Sequence, residues 1–390
     1  MDLRDSPEEA AFRAEVRQWL QDNLPEGWGT PAFKEPEDPE EHVKFLKEWQ
    51  GKLASGGWAG INWPKEYGGR AVTVLQKIIF EEEYEAAYGP DMIHLAVGLD
   101  LVGPVLITAG EQWQKERFVG PCLKGEEIWC QGFSEPGAGS DLAALQTRGE
   151  IDGDELVING QKIWTSFAHH ADFCILVVRT NTEVKKHKGL TFVIVDMKSP
   201  GIEIRPLVEM TGHQWFNEVF FENVRVPLKN VVGGIDKGWG VVMETLNVER
   251  SSASQHSKLD AQIARLIKTA KAQGIDKDPL FRQELARTVT DSMVLKMTAY
   301  RNASAFIKSG ESGPEGSIIK LFWADVDQRF KNQIVNAMGP AGLALEGDPA
   351  AADQGYWQHQ LLWSKASSIY AGTSEIQRNI IATRVLGLPR

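Results

Sequence analysis

Apolar residues return every three or four positions through the first part of the chain: Phe12, Val16, Trp19 and Leu20, then Phe45, Trp49 and Leu53. This is the period of one buried helix face. The pattern breaks over residues 58–70, where Gly56-Gly57, Pro64 and Gly68-Gly69 predict a loop. Residues 92–107 resume as a buried helix carrying Gly98 and Gly103. From residue 127 to 232 the texture changes to short β-rich runs: Leu156-Val157-Ile158, Cys174 to Val178, Thr191 to Val195, Val219-Phe220-Phe221 and Val224-Arg225-Val226. Asp152-Gly153 and Asn159-Gly160 predict turns on either side of the first run, a hairpin signature. Pro227 suits a strand end. No helix-length segment separates these runs, so they predict an antiparallel small barrel or sandwich and not a parallel nucleotide-binding sheet. After Trp239 helices return, with stripes at Val289, Met293, Met297 and Tyr300 and at Ile318, Phe322, Val326 and Phe330.

The fold class is therefore α+β multidomain. The expected division is an N-terminal helical domain over 1–124, a middle antiparallel β-domain over 125–236 and a C-terminal helical bundle over 237–390. A chain of 390 residues exceeds what one core supports. Its net charge of −11 argues against nucleic acid as a partner. The amino-terminal segment is charged, unlike a signal peptide, and no run of about 18 apolar residues predicts a membrane span. Cys122, Cys130 and Cys174 have neither metal nor disulfide spacing and read as buried thiols. His169-His170 with Asp172 lacks a further ligand cluster, so no metal site is expected. The run Lys185-Lys186-His187-Lys188 reads as a solvated loop. A cytoplasmic protein is the expectation.

Two strings carry chemistry. Phe133-Ser134-Glu135-Pro136-Gly137-Ala138-Gly139-Ser140-Asp141 contains two glycines of the dinucleotide fingerprint, but Leu142 replaces the third and no βαβ unit follows. What remains is a glycine-rich loop whose amides and hydroxyls approach an anion or a polar ring edge. The other string runs Ile369-Tyr370-Ala371-Gly372-Thr373-Ser374-Glu375-Ile376-Gln377-Arg378. Together with Gln161-Lys162-Ile163-Trp164-Thr165-Ser166, these strings resemble the acyl-CoA dehydrogenases over essentially the full length. The resemblance implies a C-terminal four-helix bundle, FAD between the β-domain and the bundle, and a tetramer built as a dimer of dimers. It places Phe133 and Ser134 at the flavin ring, Trp164 against its face and Ser166 at its polar edge. It places Gly372, Thr373 and Glu375 in the loop closing over the flavin, and Ser140 at both the cofactor and the coenzyme A portion of the substrate. Asn247, Arg250 and Gly372 match substrate positions, and Asn336 and Gly339 match flavin contacts.

Removing the α-proton of a thioester needs a positioned carboxylate, and its carbonyl needs donors where enolate charge develops. Many family members carry the base where this chain has Ala371. The alanine amide still donates to the carbonyl, but alanine supplies no base. Glu249, followed by Arg250, resembles the helical base of the isovaleryl and long-chain types. A neighbouring Glu-Arg pair does not meet across a helix surface, which disfavours a simple ion pair. Arg250 would hold the substrate or tune the base. The implied reaction makes a trans-2-enoyl thioester from an acyl-CoA, with electrons leaving through an electron-transfer flavoprotein. One family motif, R-x-x-F-G, is missing near residues 269–277. Its absence keeps open a heterotetramer in which this chain is a non-catalytic or half-site partner, beside the homotetramer. An acyl-CoA oxidase is the further alternative. Gly98 and Gly103 hint at room for a bulky acyl group, although small residues on a buried helix also serve packing.

Overall fold

The computed structural model describes residues 4–30, 32–250, 255–310 and 313–389, with the side chains of 247–250 left aside. The chain forms two compact units that do not follow its order. One takes Lys34–Val72 and Pro90–Glu249; the other takes the residues up to Phe33, Thr73–Gly89 and those from Arg250 onward.

The first unit is built on a sheet of eight strands: β1 (Trp129–Gly132), β2 (Arg148–Asp152), β3 (Glu155–Ser166), β4 (Phe173–Arg179), β5 (Leu190–Asp196), β6 (Ile202–Leu207), β7 (Phe216–Pro227) and β8 (Val231–Val232). Their order is β6-β7-β3-β2-β4-β5-β8, with β1 on β4. Pairing is antiparallel except where β4 runs parallel to β1 and, at Arg179, to β2. The continuous apolar runs of β4 and β5 are buried on both faces, as sequences without alternation require. Val43, Leu46 and Leu95, from the helices Pro39–Ser55 and Ile93–Ala96, pack into the same core.

Two expectations need correction. The Asp152-Gly153 hairpin forms, but Asn159-Gly160 lies inside β3 and makes no turn. The register shifts between Ile158 and Gly160, and a Cβ on Gly160 would stand 2.7 Å from the Thr147 Cα. Glycine is there for a close backbone approach at a bulge. Gly103 and Gly98 likewise serve packing and leave no added space. A Cβ on Gly103 would overlap the Trp63 ring at 2.0 Å, and one on Gly98 would meet the Cys122 Sγ at 2.9 Å.

The second unit is helical. Pro7–Asn23 begins with a Ser6–Glu9 capping box and Val74–Ala86 with a Thr73–Gln76 box; Asp278 caps Pro279–Ser309. Gln255–Gln273, Pro279–Ser309, Gly316–Ala337 and Tyr356–Ser364 surround Leu259, Leu266, Leu295, Phe330, Ile334 and Trp357. Glu82 receives Arg13, His256 and Lys296 at 2.7–3.0 Å, and Glu83 receives Arg13 and Arg17 at 2.8–3.1 Å. One predicted stripe faces outward over most of its length: Val289, Met293 and Met297 are exposed, its fourth member Tyr300 is half-buried and donates to Glu82, and Thr288, Ser292, Leu295, Ala299 and Ala303 of the same helix are buried. Small and polar residues let the neighbouring helices approach on the inner side, and the larger apolar residues are left for another surface.

Candidate active site

The glycine-rich string leaves β1 and turns at once. Glu135 and Ala138 exchange backbone hydrogen bonds of 3.1 and 3.0 Å around Pro136-Gly137. Glu135 then points inward. Its carboxylate accepts the amides of Gln146 (2.6 Å) and Thr147 (2.8 Å) and pairs at 2.8 Å with the Lys162 ammonium, which also donates to the Phe133 carbonyl at 3.0 Å. Lys162 is fully buried. Burial alone would raise the Glu135 carboxyl, but the Lys162 charge and these hydrogen bonds outweigh it and hold it below the usual carboxylate value. Arg179 ties down the following segment, donating to the carbonyls of Leu145 (3.0 Å) and Ala143 (2.6 Å).

Lys162 does this from β3, where the Ile163 amide donates to the Ser134 carbonyl at 3.0 Å. Immediately beyond, the register with β7 shifts between Lys162 and Thr165. Trp164 takes the left-handed backbone (φ 60°) and is 58% exposed, meeting Phe216 in a perpendicular arrangement at 6.0 Å between ring centroids. A large aromatic ring in a strained backbone, displayed and not buried, is what a planar ligand needs and what a folding core does not. Phe133 is buried against Phe192, Ser134 and Ser166 are half-buried, and Ser140 is exposed. Lys186 pairs with Asp141 at 2.7 Å, so the basic run folds back onto the loop that carries Ser140. Of the sequence-predicted residues, Ser134 is thus joined to the strand of Trp164 and Ser166, while Phe133 lies in the core and Ser140 on the exposed loop.

Beneath Ser166, the left-handed Phe167 (φ 52°) stacks on His94 at 3.8 Å between ring centroids. His42, His169 and His170 surround this imidazole, and its Nδ1 is buried without a hydrogen-bond partner among the described residues. Burial, then the nearby His42 and His170, pushes His94 down to about 4, and burial also lowers His169 and His170. The fold therefore holds neutral imidazoles. Between the ordinary value near 6.5 and about 4 the unfolded chain binds more protons, so stability falls as pH drops through that window. His94→Leu is expected to reduce the difference in urea midpoint between pH 7 and pH 5. An undiminished difference would assign the acid sensitivity elsewhere.

In the helical unit, Ala371 (φ 52°) and Gly372 (φ 87°) are both left-handed. The buried Gln377 holds their carbonyls at 2.8 and 3.1 Å, and Thr373 caps the helix Ser374–Ile380 through the Ile376 amide at 3.3 Å. Glu375 is exposed and pairs with Arg378 at 3.5 Å. Asn336 and Gly339 are exposed at the end of Gly316–Ala337. Glu249, with Asn247 and Arg250, belongs to the helix Gly238–Arg250, but their side chains lie outside the described residues. Glu135, Lys162, Arg179 and Gln377 were not singled out from the sequence, although three of them, Glu135, Lys162 and Gln377, sit inside the quoted strings. Among the described residues, no group of three or more His, Cys, Asp or Glu is placed to hold a metal, and no helix is long and apolar enough to cross a membrane.

Comparison with known proteins gives a single picture. The N-terminal, middle and C-terminal domains of acyl-CoA dehydrogenase match residues 6–126, 130–224 and 236–386. The chain is 39% identical to acyl-CoA dehydrogenase IpdE1 of Mycobacterium tuberculosis, over 97% of both chains. Among solved structures, the Tcur3481-Tcur3483 steroid ACAD superposes with a TM-score of 0.87 at 30% identity, covering both chains fully. The ChsE4-ChsE5 complex from Mycobacterium tuberculosis does so with 0.85 at 30% identity, also over both full chains.

Proposed function

The chain belongs to the acyl-CoA dehydrogenase family, whose members are FAD-dependent oxidoreductases of lipid metabolism, and we propose that it converts an acyl-CoA to its trans-2-enoyl thioester. The observation that supports this reading is Trp164, strained and exposed beside Ser134 and Ser166, because an exposed ring is available to a planar cofactor. Bound FAD supplies the acceptor for the β-hydride. Glu249 takes the α-proton. The Ala371 amide donates to the thioester carbonyl, where negative charge develops. Ser140 meets the coenzyme A portion, and Lys186 puts positive charge near it despite the acidic whole. Asn247 and Arg250 hold the substrate; Asn336, Gly339, Gly372, Thr373 and Glu375 complete the cofactor loops. Electrons leave through an electron-transfer flavoprotein. The glutamate position aligns the chain with the isovaleryl and long-chain subgroup.

A second reading has its own support. Two structural relatives, Tcur3481-Tcur3483 and the ChsE4-ChsE5 complex, are named as pairs. Residues 269–277, where the R-x-x-F-G motif is absent, form only the end of Gln255–Gln273 and a short turn Ile275–Lys277. The exposed Val289, Met293 and Met297 offer an apolar surface for another subunit. In this reading the chain works in a heterotetramer with a related subunit that completes the flavin contacts.

The visible spectrum of the protein purified alone, followed by anaerobic titration with acyl-CoA thioesters, tests both. A yellow protein bleached by one thioester class establishes a self-sufficient dehydrogenase. A colourless protein that cannot be reconstituted with FAD refutes self-sufficiency and favours the heteromer. Steroid-derived thioesters belong in the panel because one structural relative is a steroid ACAD. Trp164→Ala is expected to lower flavin stoichiometry after gel filtration, since stacking on a ring face is lost. Unchanged stoichiometry would remove Trp164 from the cofactor site.

A further inference from the structure

Two left-handed residues stand on either side of Ser166. Trp164 (φ 60°) lies at the end of β3 and Phe167 (φ 52°) just past it, and neither is glycine. Such a backbone persists in ordinary residues only where the surroundings hold it. Around Phe167 those surroundings are explicit. Its amide donates to the Trp215 carbonyl at 2.7 Å, its ring lies 6.1 Å from that of Trp215, and His94 stacks on it at 3.8 Å. The turn behind it closes through the His170 amide to the Phe167 carbonyl (3.0 Å) and the Ala171 amide to that of Ala168 (3.2 Å). Asn217, wholly buried, accepts from His169 Nδ1 at 3.1 Å and donates to the Thr165 carbonyl at 3.0 Å.

The histidines of this cluster differ in what a proton does to them. His169 keeps its bond to Asn217 when charged, because Nδ1 donates in both forms. His94 has no such provision. Its Nδ1 is buried without a partner among the described residues, so a proton there would make a cationic N–H with no acceptor. The neighbouring charges add to that cost. His42, on Pro39–Ser55, is 5.7 Å away, and His170, on the turn, is 6.3 Å away with His169 beside it. Asp91 opposes them, but its carboxylate already holds the Ile93 amide at 3.1 Å. Glu35 pairs with His42 at 3.7 Å.

We propose that His94 is an acid-triggered latch on the cofactor site: on taking a proton it leaves Phe167, the turn 166–170 opens, and Trp164 and Ser166 loosen their hold on FAD. The latch depends on the proposed function for its ligand, since that reading assigns Trp164 and Ser166 to FAD. Burial and the neighbouring imidazoles hold closed His94 at about 4, against 6.5 for a free side chain. The open turn therefore binds more protons than the closed one, and acid favours opening between those two values. One proton taken up makes opening about tenfold easier per pH unit, or about 20-fold between pH 7 and pH 5 across this window.

Hydrogen exchange of the Phe167, His170 and Ala171 amides in the full-length protein, corrected for intrinsic rates, reads the opening without flavin. Flavin fluorescence after dilution of the loaded protein reads FAD release. From pH 7 to pH 5, protection of these amides is expected to fall about 20-fold and the FAD release rate to rise by a similar factor. His94→Phe keeps a ring against Phe167 but takes no proton, and should flatten both responses. His94→Gln, also uncharged, repeats the test if phenylalanine does not fold there. His169→Gln should leave both responses in place. Protection that ignores pH, or falls equally in the His94 variants, overturns the latch. An equal fall in the amides of β4 and β5 is global unfolding and overturns it too, as does a turn that opens in acid while FAD release stays constant. A protein that takes up no FAD refutes the cofactor reading instead, and amide protection still decides whether His94 opens the turn.

Discussion

Replacing Lys162 by methionine is expected to destabilise the sheet unit by about 3–5 kcal/mol, the cost of leaving a buried charge without its partner. Lys162 is fully buried, and among the described residues its ammonium is the only cation within hydrogen-bond distance of the Glu135 carboxylate. Without it, two backbone amides remain to hold a negative charge removed from water. The effect should reach the cofactor loop directly, because Lys162 also binds the Phe133 carbonyl and its neighbour Ile163 binds that of Ser134. Pairing Lys162→Met with Glu135→Gln should recover much of the loss, since the neutral amide still accepts from Gln146 or Thr147 and no bare charge is left. Denaturant midpoints with unchanged slope measure both variants. A single variant within about 1 kcal/mol of the parent would show that the pair contributes no more than an exposed one. The pH dependence follows from the lowered Glu135 value: its contribution is complete above the ordinary carboxylate range and is lost as pH falls through the lower folded value.

Glu249→Gln should leave FAD bound and reduce turnover by about 10²-fold or more, the scale of a missing general base. Glutamine keeps the size and polarity of the side chain but cannot take a proton. Near-normal turnover would remove Glu249 from that role. Adding Ala371→Glu to the same protein asks whether two backbone points converge on one α-carbon. Ala371 already has the left-handed backbone that ends in the Gln377 clamp, so the new carboxylate starts from a fixed position. Partial recovery of turnover is expected, and none would leave Glu249 acting from a geometry that position 371 cannot reach.

The elements of the fold were legible where one periodicity ruled. Phe12, Val16 and Leu20 are buried as the helical spacing requires, and the apolar runs of β4 and β5 form the sheet core. Periodicity failed where a local rule met a tertiary one. Asn159-Gly160 has turn chemistry, yet the chain needs glycine there to pass Thr147. The Met293 stripe has helix chemistry, yet helix-to-helix approach selected the opposite face for burial. In the candidate site, Trp164 and the Ala371 loop were singled out through family likeness, and both have left-handed backbone. The Glu135–Lys162 pair was not, because its two halves look like ordinary polar residues of a loop and a strand. A signal was present: Lys162 lies among strand positions whose neighbours Leu156 and Ile158 face the core, so an inward lysine required a buried acid. Gln377 carried no such signal, as a glutamine on a short helix gives no hint that it clamps the residues before it.

The interleaving of the two units sets an order on synthesis. The helices Pro7–Asn23 and Val74–Ala86 emerge early, but Glu82 pairs with His256 and Lys296, which are translated far later. At roughly 5–20 residues per second, the first helix waits on the order of 10–50 s for the segment that completes its core. The sheet unit, whose segments are all made by Glu249, can close in the meantime. A nascent chain stalled before residue 255 should therefore carry a protease-resistant sheet and an amino-terminal helix pair that is cut readily, which makes that early pair the natural client of a ribosome-bound chaperone.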